Sequence, residues 1–188
     1  MIIIIGRSGS GKTSVANELA NNFGYEKLIT DTTRPMRSGE KDKVDYNFKT
    51  QEEFDKLNNE GYYGESVTYN ASFGTCSYGS KKEYYEGYKD NAIIILNPIG
   101  FYKIKNNKEL DNKHFTSIYL KVPDEDLLLT RLIDRDDDPE EIKRRWLADS
   151  EDFKDIEKEV DYIVEVTKGK KIKTLAKEIH KLNNRKKD

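Results

Sequence analysis

The chain opens MIIIIGRSGSGKT, residues 1–13, and this stretch decides how the rest is read. Four isoleucines after Met1 read as a fully buried β-strand, because a strand covered on both faces carries apolar side chains at every position. The next eight residues follow the spacing G-x-x-x-x-G-K-[ST], with Gly6, Gly11, Lys12 and Thr13 in the fixed places. Glycine permits the backbone angles that turn successive N–H groups inward around phosphate oxygens. On that reading Gly6, Ser8, Gly9, Ser10, Gly11, Lys12 and Thr13 form a nucleotide-phosphate-binding loop. Lys12 brings positive charge to the β- and γ-phosphates, and the Thr13 hydroxyl can ligate Mg2+. Val15, Ala16, Leu19, Ala20 and Phe23 then recur at helical spacing, so a helix starts at the loop and aims its positive end at the anion. Strand, loop and helix in that order is the context the motif needs. The alternative is a glycine-rich turn between a strand and a helix.

The whole chain of 188 residues bounds the answer. Its length suits one compact unit with small insertions. Hydrophobic residues make up 35% and charged residues 36%, which describes a polar chain with a modest core. A net charge of −2 gives no overall field favouring nucleic acid. The basic stretch at 170–188 reads as a solvated last helix with a frayed tail. Cys76 is the single cysteine, so an intrachain disulfide framework and a cysteine-rich zinc site are both excluded. The isoleucine run is too short for a signal peptide or a membrane span, and a cytoplasmic location is expected.

Further strand-like runs lie at 92–97 (AIIILN), 115–122 (FTSIYLKV) and 161–166 (DYIVEV), separated by helical patterns. The core therefore reads as α/β, with a mostly parallel sheet flanked by helices. Between the first helix and Ala92 the texture changes to tyrosine, glycine and asparagine. Short strands are expected at 45–48 and 62–69, and Thr50-Gln51-Glu52-Glu53 is a capping box for a helix through Asn59. A second insertion spans about 123–153, where Asp124 caps one helix and Asp138-Pro139-Glu140-Glu141 starts another.

Residues 32–48, TTRPMRSGEKDKVDYNF, suggest where the phosphate goes next. Pro35 keeps Arg34 out of helix, and Arg34 and Arg37 both carry planar forks suited to phosphate oxygens. With the Tyr46 hydroxyl they form a candidate second phosphate site. A surface loop with solvated arginines is the alternative.

The loop at 6–13, followed by T-T-R-x-x-R-x-x-E and Y-x-F (Thr32, Thr33, Arg34, Arg37, Glu40, Tyr46, Phe48), resembles the guanylate kinase family. Residues 127–146, LLLTRLIDRDDDPEEIKRRW, resemble that family's lid, with Arg131, Arg135 and Arg145 in the arginine places. Asn97-Pro98-Ile99-Gly100 stands where the family has D-x-x-G. The resemblance runs in order over nearly the whole chain and is weaker from Tyr62 to Gly100.

The resemblance implies a P-loop-type core with a small mixed nucleotide-monophosphate-binding insertion and a helical lid. It implies ATP-dependent transfer to a nucleoside monophosphate, with ATP and the acceptor nucleotide as partners and Mg2+ accompanying ATP. Core would be 1–29, 91–122 and 154–188, acceptor region 30–90 and lid 123–153. Arg34, Arg37, Tyr46 and Tyr78 would hold the acceptor phosphate. Glu65 would read guanine with help from Thr30 and Ser80, and Lys12, Arg131, Arg135 and Arg145 would be catalytic.

One carboxylate can accept both the N1–H and the N2–H2 donors of guanine, a pairing adenine lacks. An exposed strand carboxylate is the alternative for Glu65, and a solvated helical hairpin is the alternative for the lid. An acceptor phosphate with its second pKa near about 6 is already anionic at neutral pH, so no strong base is needed. His114 and His180 need no catalytic role.

Departures from the family are Lys43 in place of glycine, and Ile95 and Asn97 in place of acidic residues. Val166 and Thr167 stand where the family often has Asn-Asp. The path from Glu65 to Tyr78 is long, and Phe73-Gly74-Thr75 competes with Tyr78-Gly79-Ser80 as the acceptor turn. A divergent member is expected, with GMP or dGMP as acceptor. Another nucleotide such as dTMP, a phosphorylated sugar, or a non-catalytic interaction module are the alternatives.

Overall fold

The computed structural model describes residues 1–72, 74–87, 89–110, 113–134 and 138–185. Strand β1 (Ile2–Ile5) lies at the centre of a five-stranded parallel sheet. Its neighbours are β7 (Ala92–Ile95) on one side and β8 (Thr116–Lys121) on the other. The edges are β2 (Glu26–Lys27) and β9 (Tyr162–Glu165).

Strand periodicity sends alternate isoleucines to opposite faces. Ile2 and Ile4 pack with Val15 and Leu19 of helix α1 (Lys12–Phe23) and with Leu175 and Ile179 of α8 (Ile172–Arg185). Ile3 and Ile5 pack with Phe101 and Ile104 of α4 (Pro98–Lys105) and Ile156 of α7 (Ile156–Glu159). All four isoleucines are at most 1% exposed, each stabilising the fold by about 1.5–3 kcal/mol. From β1 the chain passes to β2 on one side and later crosses from β7 to β8 on the other. A crevice therefore opens at the carboxyl end of β1, where the phosphate-loop sequence begins.

A second, four-stranded sheet runs β4 (Asn47–Phe48), β3 (Asp31–Thr32), β6 (Gly74–Lys81), β5 (Tyr63–Ala71). Helix α2 (Gln51–Asn59) starts at the expected capping box. The Thr50 hydroxyl accepts from the Glu53 amide at 3.1 Å and the Glu53 carboxylate accepts from the Thr50 amide at 2.9 Å. Its buried Phe54 stacks on Tyr63 at 4.5 Å, fixing α2 to the small sheet. A short helix, α3 (Glu83–Glu86), follows β6 and brings Tyr85 into the core. Two further helices, α5 (Glu125–Ile133) and α6 (Pro139–Asp152), arch over the crevice. Asp124 and Asp138 cap them by accepting from the Leu127 and Glu141 amides.

Several sequence expectations shift. The strand expected over 92–97 stops at Ile95, because Asn97 caps α4 and Pro98 is its first residue. The strand expected over 45–48 shrinks to Asn47–Phe48, since Lys43 adopts a positive φ of 61° within a turn. The strand expected over 62–69 runs to Ala71. The last helix is not simply solvated: Leu175, Ala176 and Ile179 bury one face. Arg135, one of the arginines expected to be catalytic, lies outside the described residues. Among the described residues no helix is long and apolar enough to cross a membrane.

Candidate active site

The crevice at the end of β1 is a cleft of about 530 Å³, a size suited to small-molecule ligands. One wall is the loop at 6–13. Gly11 takes φ 90° to begin α1, a left-handed conformation that a side chain would strain. The Lys12 ammonium folds back over the loop, donating to the Gly6 carbonyl at 2.6 Å and the Arg7 carbonyl at 3.1 Å. Ser10 is buried, and Thr13 sits exposed on the first turn of α1, lining the cleft.

Helices α5 and α6 rest on this loop. Arg131 of α5 donates to the Gly9 carbonyl at 3.0 Å. The Ser8 amide donates to the Asp149 carboxylate of α6 at 3.0 Å. Arg7 pairs with Glu125 at 2.9 Å and lies 4.4 Å over the Trp146 ring.

The facing wall belongs to the small sheet. Arg34 leaves β3 and is only 4% exposed. Its fork meets both oxygens of Glu40, at 2.7 and 2.5 Å, and its flat face lies 4.9 Å over Tyr46 and 5.6 Å over Phe48. Glu40 also accepts from the Arg37 amide at 2.8 Å. Burial alone would raise the Glu40 pKa, but these donors outweigh it and hold the carboxyl below its usual range. Tyr78 stands 6.1 Å from Tyr46, ring to ring, and burial pushes its phenol up, so it remains a donor at neutral pH. Arg34, Arg37, Tyr46 and Tyr78 thus line the cleft together, with buried Thr30 beside them.

Glu65 marks the inner end. The β5–β6 ladder shifts register between Tyr63 and Glu65, a bulge that sets Glu65 opposite Ser80. The Ser80 hydroxyl donates to Glu65 at 2.6 Å and lies 2.6 Å from the Tyr85 hydroxyl. Helix α4 approaches so closely that a Cβ on Gly100 would lie 2.6 Å from the Glu65 carboxylate. Glu65 is 6% exposed, and burial pushes its pKa up against the Ser80 bond and the nearby Lys103 ammonium. Asn97 accepts from the Gly100 amide at 2.7 Å, a capping duty that asparagine performs as well as aspartate. Ile95 is partly buried, packing on the core cluster while also lining the cleft.

The two candidate acceptor turns separate in space. Tyr78 and Gly79 line the cleft, and Ser80 bonds Glu65. Gly74 pairs with Ala71 at the far end of the hairpin, and Phe73 lies outside the described residues. Arg145 and its neighbour Arg144 line the cleft from α6, and Arg131 from α5. Sequence reasoning missed Asp149, which lines the cleft, and the contacts of Arg7, Trp146 and Glu141 that support its walls, and gave Glu40 no role beyond the motif. Only Glu40 carried a local signal, its place in the arginine motif.

Sheet order, phosphate loop and a two-walled cleft place the chain among the P-loop kinases. The guanylate kinase family model matches residues 1–182. A guanylate kinase from Streptococcus pyogenes serotype M3 is 31% identical over 169 residues, covering 87% of this chain and 76% of that one. The crystal structure of guanylate kinase from Anaplasma phagocytophilum superposes with a TM-score of 0.71 at 24% identity, covering 99% of this chain and 85% of that one. A shikimate kinase from Acinetobacter baumannii shares the fold more loosely, with a TM-score of 0.52 at 15% identity, covering 99% of this chain and 93% of that one. The chain belongs to the guanylate kinase family.

Proposed function

We propose that the chain transfers the γ-phosphoryl group of ATP to the phosphate of GMP or dGMP. The observation that carries this reading is the meeting of the phosphate loop and the Arg34–Tyr46–Tyr78 group in one cleft, which suits in-line transfer between two bound phosphates. Lys12 steadies the β- and γ-phosphates, while Arg131, Arg135 and Arg145 offset charge on the transferring group. Arg34, Arg37, Tyr46 and Tyr78 grip the acceptor phosphate. Glu65 accepts the paired donors of guanine, with Thr30 and Ser80 at the same edge.

Mg2+ bound with ATP would supply charge that offsets the phosphates, and the Thr13 hydroxyl would be its protein ligand. Among the described residues no group of three or more His, Cys, Asp or Glu is placed to hold a metal. The exposed hydroxyl of Thr13 suits an ion that keeps mostly phosphate and water ligands. In this reading residues 30–90 act as the acceptor region, 123–153 as the lid, and the enzyme works in the cytoplasm.

The two walls separate kinetically. Lys12→Ala lowers kcat by about 100- to 1,000-fold, as loss of a transition-state charge contact does. Arg34→Ala raises KM for the acceptor by about 10- to 100-fold, because a charge-assisted contact is lost and Glu40 is left facing the phosphate. Wild-type kinetics in either variant contradicts the assigned roles.

A further inference from the structure

Glu141 sits in the first turn of α6, on the outer layer of the molecule, yet it is 4% exposed. Carboxylates on outer helices are ordinarily solvated, and the usual i,i+4 ion pair is a screened surface contact. Here both carboxylate oxygens are saturated. One oxygen accepts from the Arg144 Nη2 at 2.9 Å and the Arg145 Nε at 2.6 Å. The other accepts from the Arg144 Nε at 2.9 Å and from the backbone amide of Ser72 at 3.0 Å. Burial alone would raise the Glu141 pKa, but the donors from Arg144, Ser72 and Arg145 outweigh it and hold the carboxyl far below its usual range.

Ser72 lies at the tip of the β5–β6 hairpin, beyond the Ala71–Gly74 pair. The base of the same ladder carries Glu65, Tyr78 and Ser80. One antiparallel ribbon therefore touches the acceptor site at its base and the lid at its tip. Arg144 and Arg145, the side chains that Glu141 holds, both line the cleft.

We infer that Glu141 is a positioning residue: it fixes the lid arginines toward the cleft and latches the lid helix to the acceptor-side hairpin through the Ser72 amide. The inference rests on the kinase reading above for its kinetic consequence, though the clamp itself does not. Glutamine at 141 keeps the volume and one acceptor oxygen but loses the charge that holds two guanidinium groups. Its effect should fall on turnover, because the arginines would still be present but no longer held in place.

The test uses Glu141→Gln, Arg145→Ala and the double variant, with ATP–Mg2+ and the best acceptor. The expected result is a 10- to 100-fold lower kcat for E141Q, with both KM values within about threefold of wild type. The double variant should lose less than the product of the two single losses, because the carboxylate acts in part through Arg145. A midpoint of thermal unfolding that still rises with ATP–Mg2+ establishes that each variant is folded. Turnover of E141Q within twofold of wild type, or losses that multiply fully in the double variant, would overturn the inference. A second readout is independent of activity: the Arg145 Nε proton should exchange slowly in wild type and rapidly in E141Q by NMR. Absence of turnover in wild type with every acceptor sinks the kinase reading, while fast exchange of that proton in wild type sinks the clamp.

Discussion

Glu65 sets stability against function within one side chain. Its carboxyl is buried against Ser80 and the backbone of α4, and its folded-state pKa is raised by that burial. A raised carboxyl pKa means the folded protein disfavours the ionised form. The stability of the nucleotide-free protein is therefore fully present below the ordinary carboxylate pKa and declines as pH rises through the raised value. Glu65→Gln should have a higher Tm than wild type at pH 7.5, with the gap closing toward pH 4. The guanine contact proposed for Glu65 runs the other way. The ionised carboxylate is the form that accepts two donors, so KM for GMP should rise in E65Q and in wild type as pH falls through the raised pKa. A lower Tm for E65Q at pH 7.5, measured by thermal denaturation without nucleotide, contradicts this account. Asn97 caps α4 and Ile95 packs on the core cluster while both line the cleft, so neither brings a charge there and the proposed base contact rests on Glu65.

Among the elements, α6 meets the loop at 6–13 through Asp149. Its carboxylate accepts from the Ser8 amide, so an acidic side chain competes with phosphate for one of the loop's N–H groups. Asp149→Asn should lower KM for ATP by about fivefold, the equivalent of about 1 kcal/mol for one hydrogen bond and its charge, with KM for the acceptor unchanged. Isothermal titration with ATP–Mg2+ checks this, and weaker ATP binding by D149N would count against the competition. Elements with strong local signals were legible in the sequence. β1 was legible from its isoleucines, α2 from Thr50 and Glu53, and α5 and α6 from Asp124 and Asp138. β2 and β3 have two residues each, too few for any periodicity to register. Strand β6, GTCSYGSK, has no apolar alternation and owes its pairing to β5. A helical pattern was legible between 97 and 115, but the start of α4 was obscured by Pro98 and Gly100, which punctuate a loop as readily as a first turn. The Glu141 cluster was invisible because Arg144 and Arg145 at three and four residues onward read as a solvated helix face. What buries it is the hairpin tip, 69 residues away in the chain.

At the scale of the whole molecule, a parallel sheet places the phosphate loop at one side of a crevice, and a small mixed sheet brings the acceptor-side arginines and tyrosines to the other. Helices α5 and α6 lean on both, through Arg131 to Gly9 and through Glu141 to Ser72. Closure over two nucleotides would then tighten contacts that already span the cleft, excluding water from the reacting phosphates. The most direct measurement of the central claim is ADP release from ATP–Mg2+ with GMP, dGMP, AMP, CMP, UMP and dTMP in turn. The account predicts turnover with GMP or dGMP at a kcat/KM at least about 100-fold above every other acceptor, the discrimination expected when the wrong base leaves a buried carboxylate unpaired. Equal turnover with a base lacking the guanine donor pair, or none with any of the six, would contradict it.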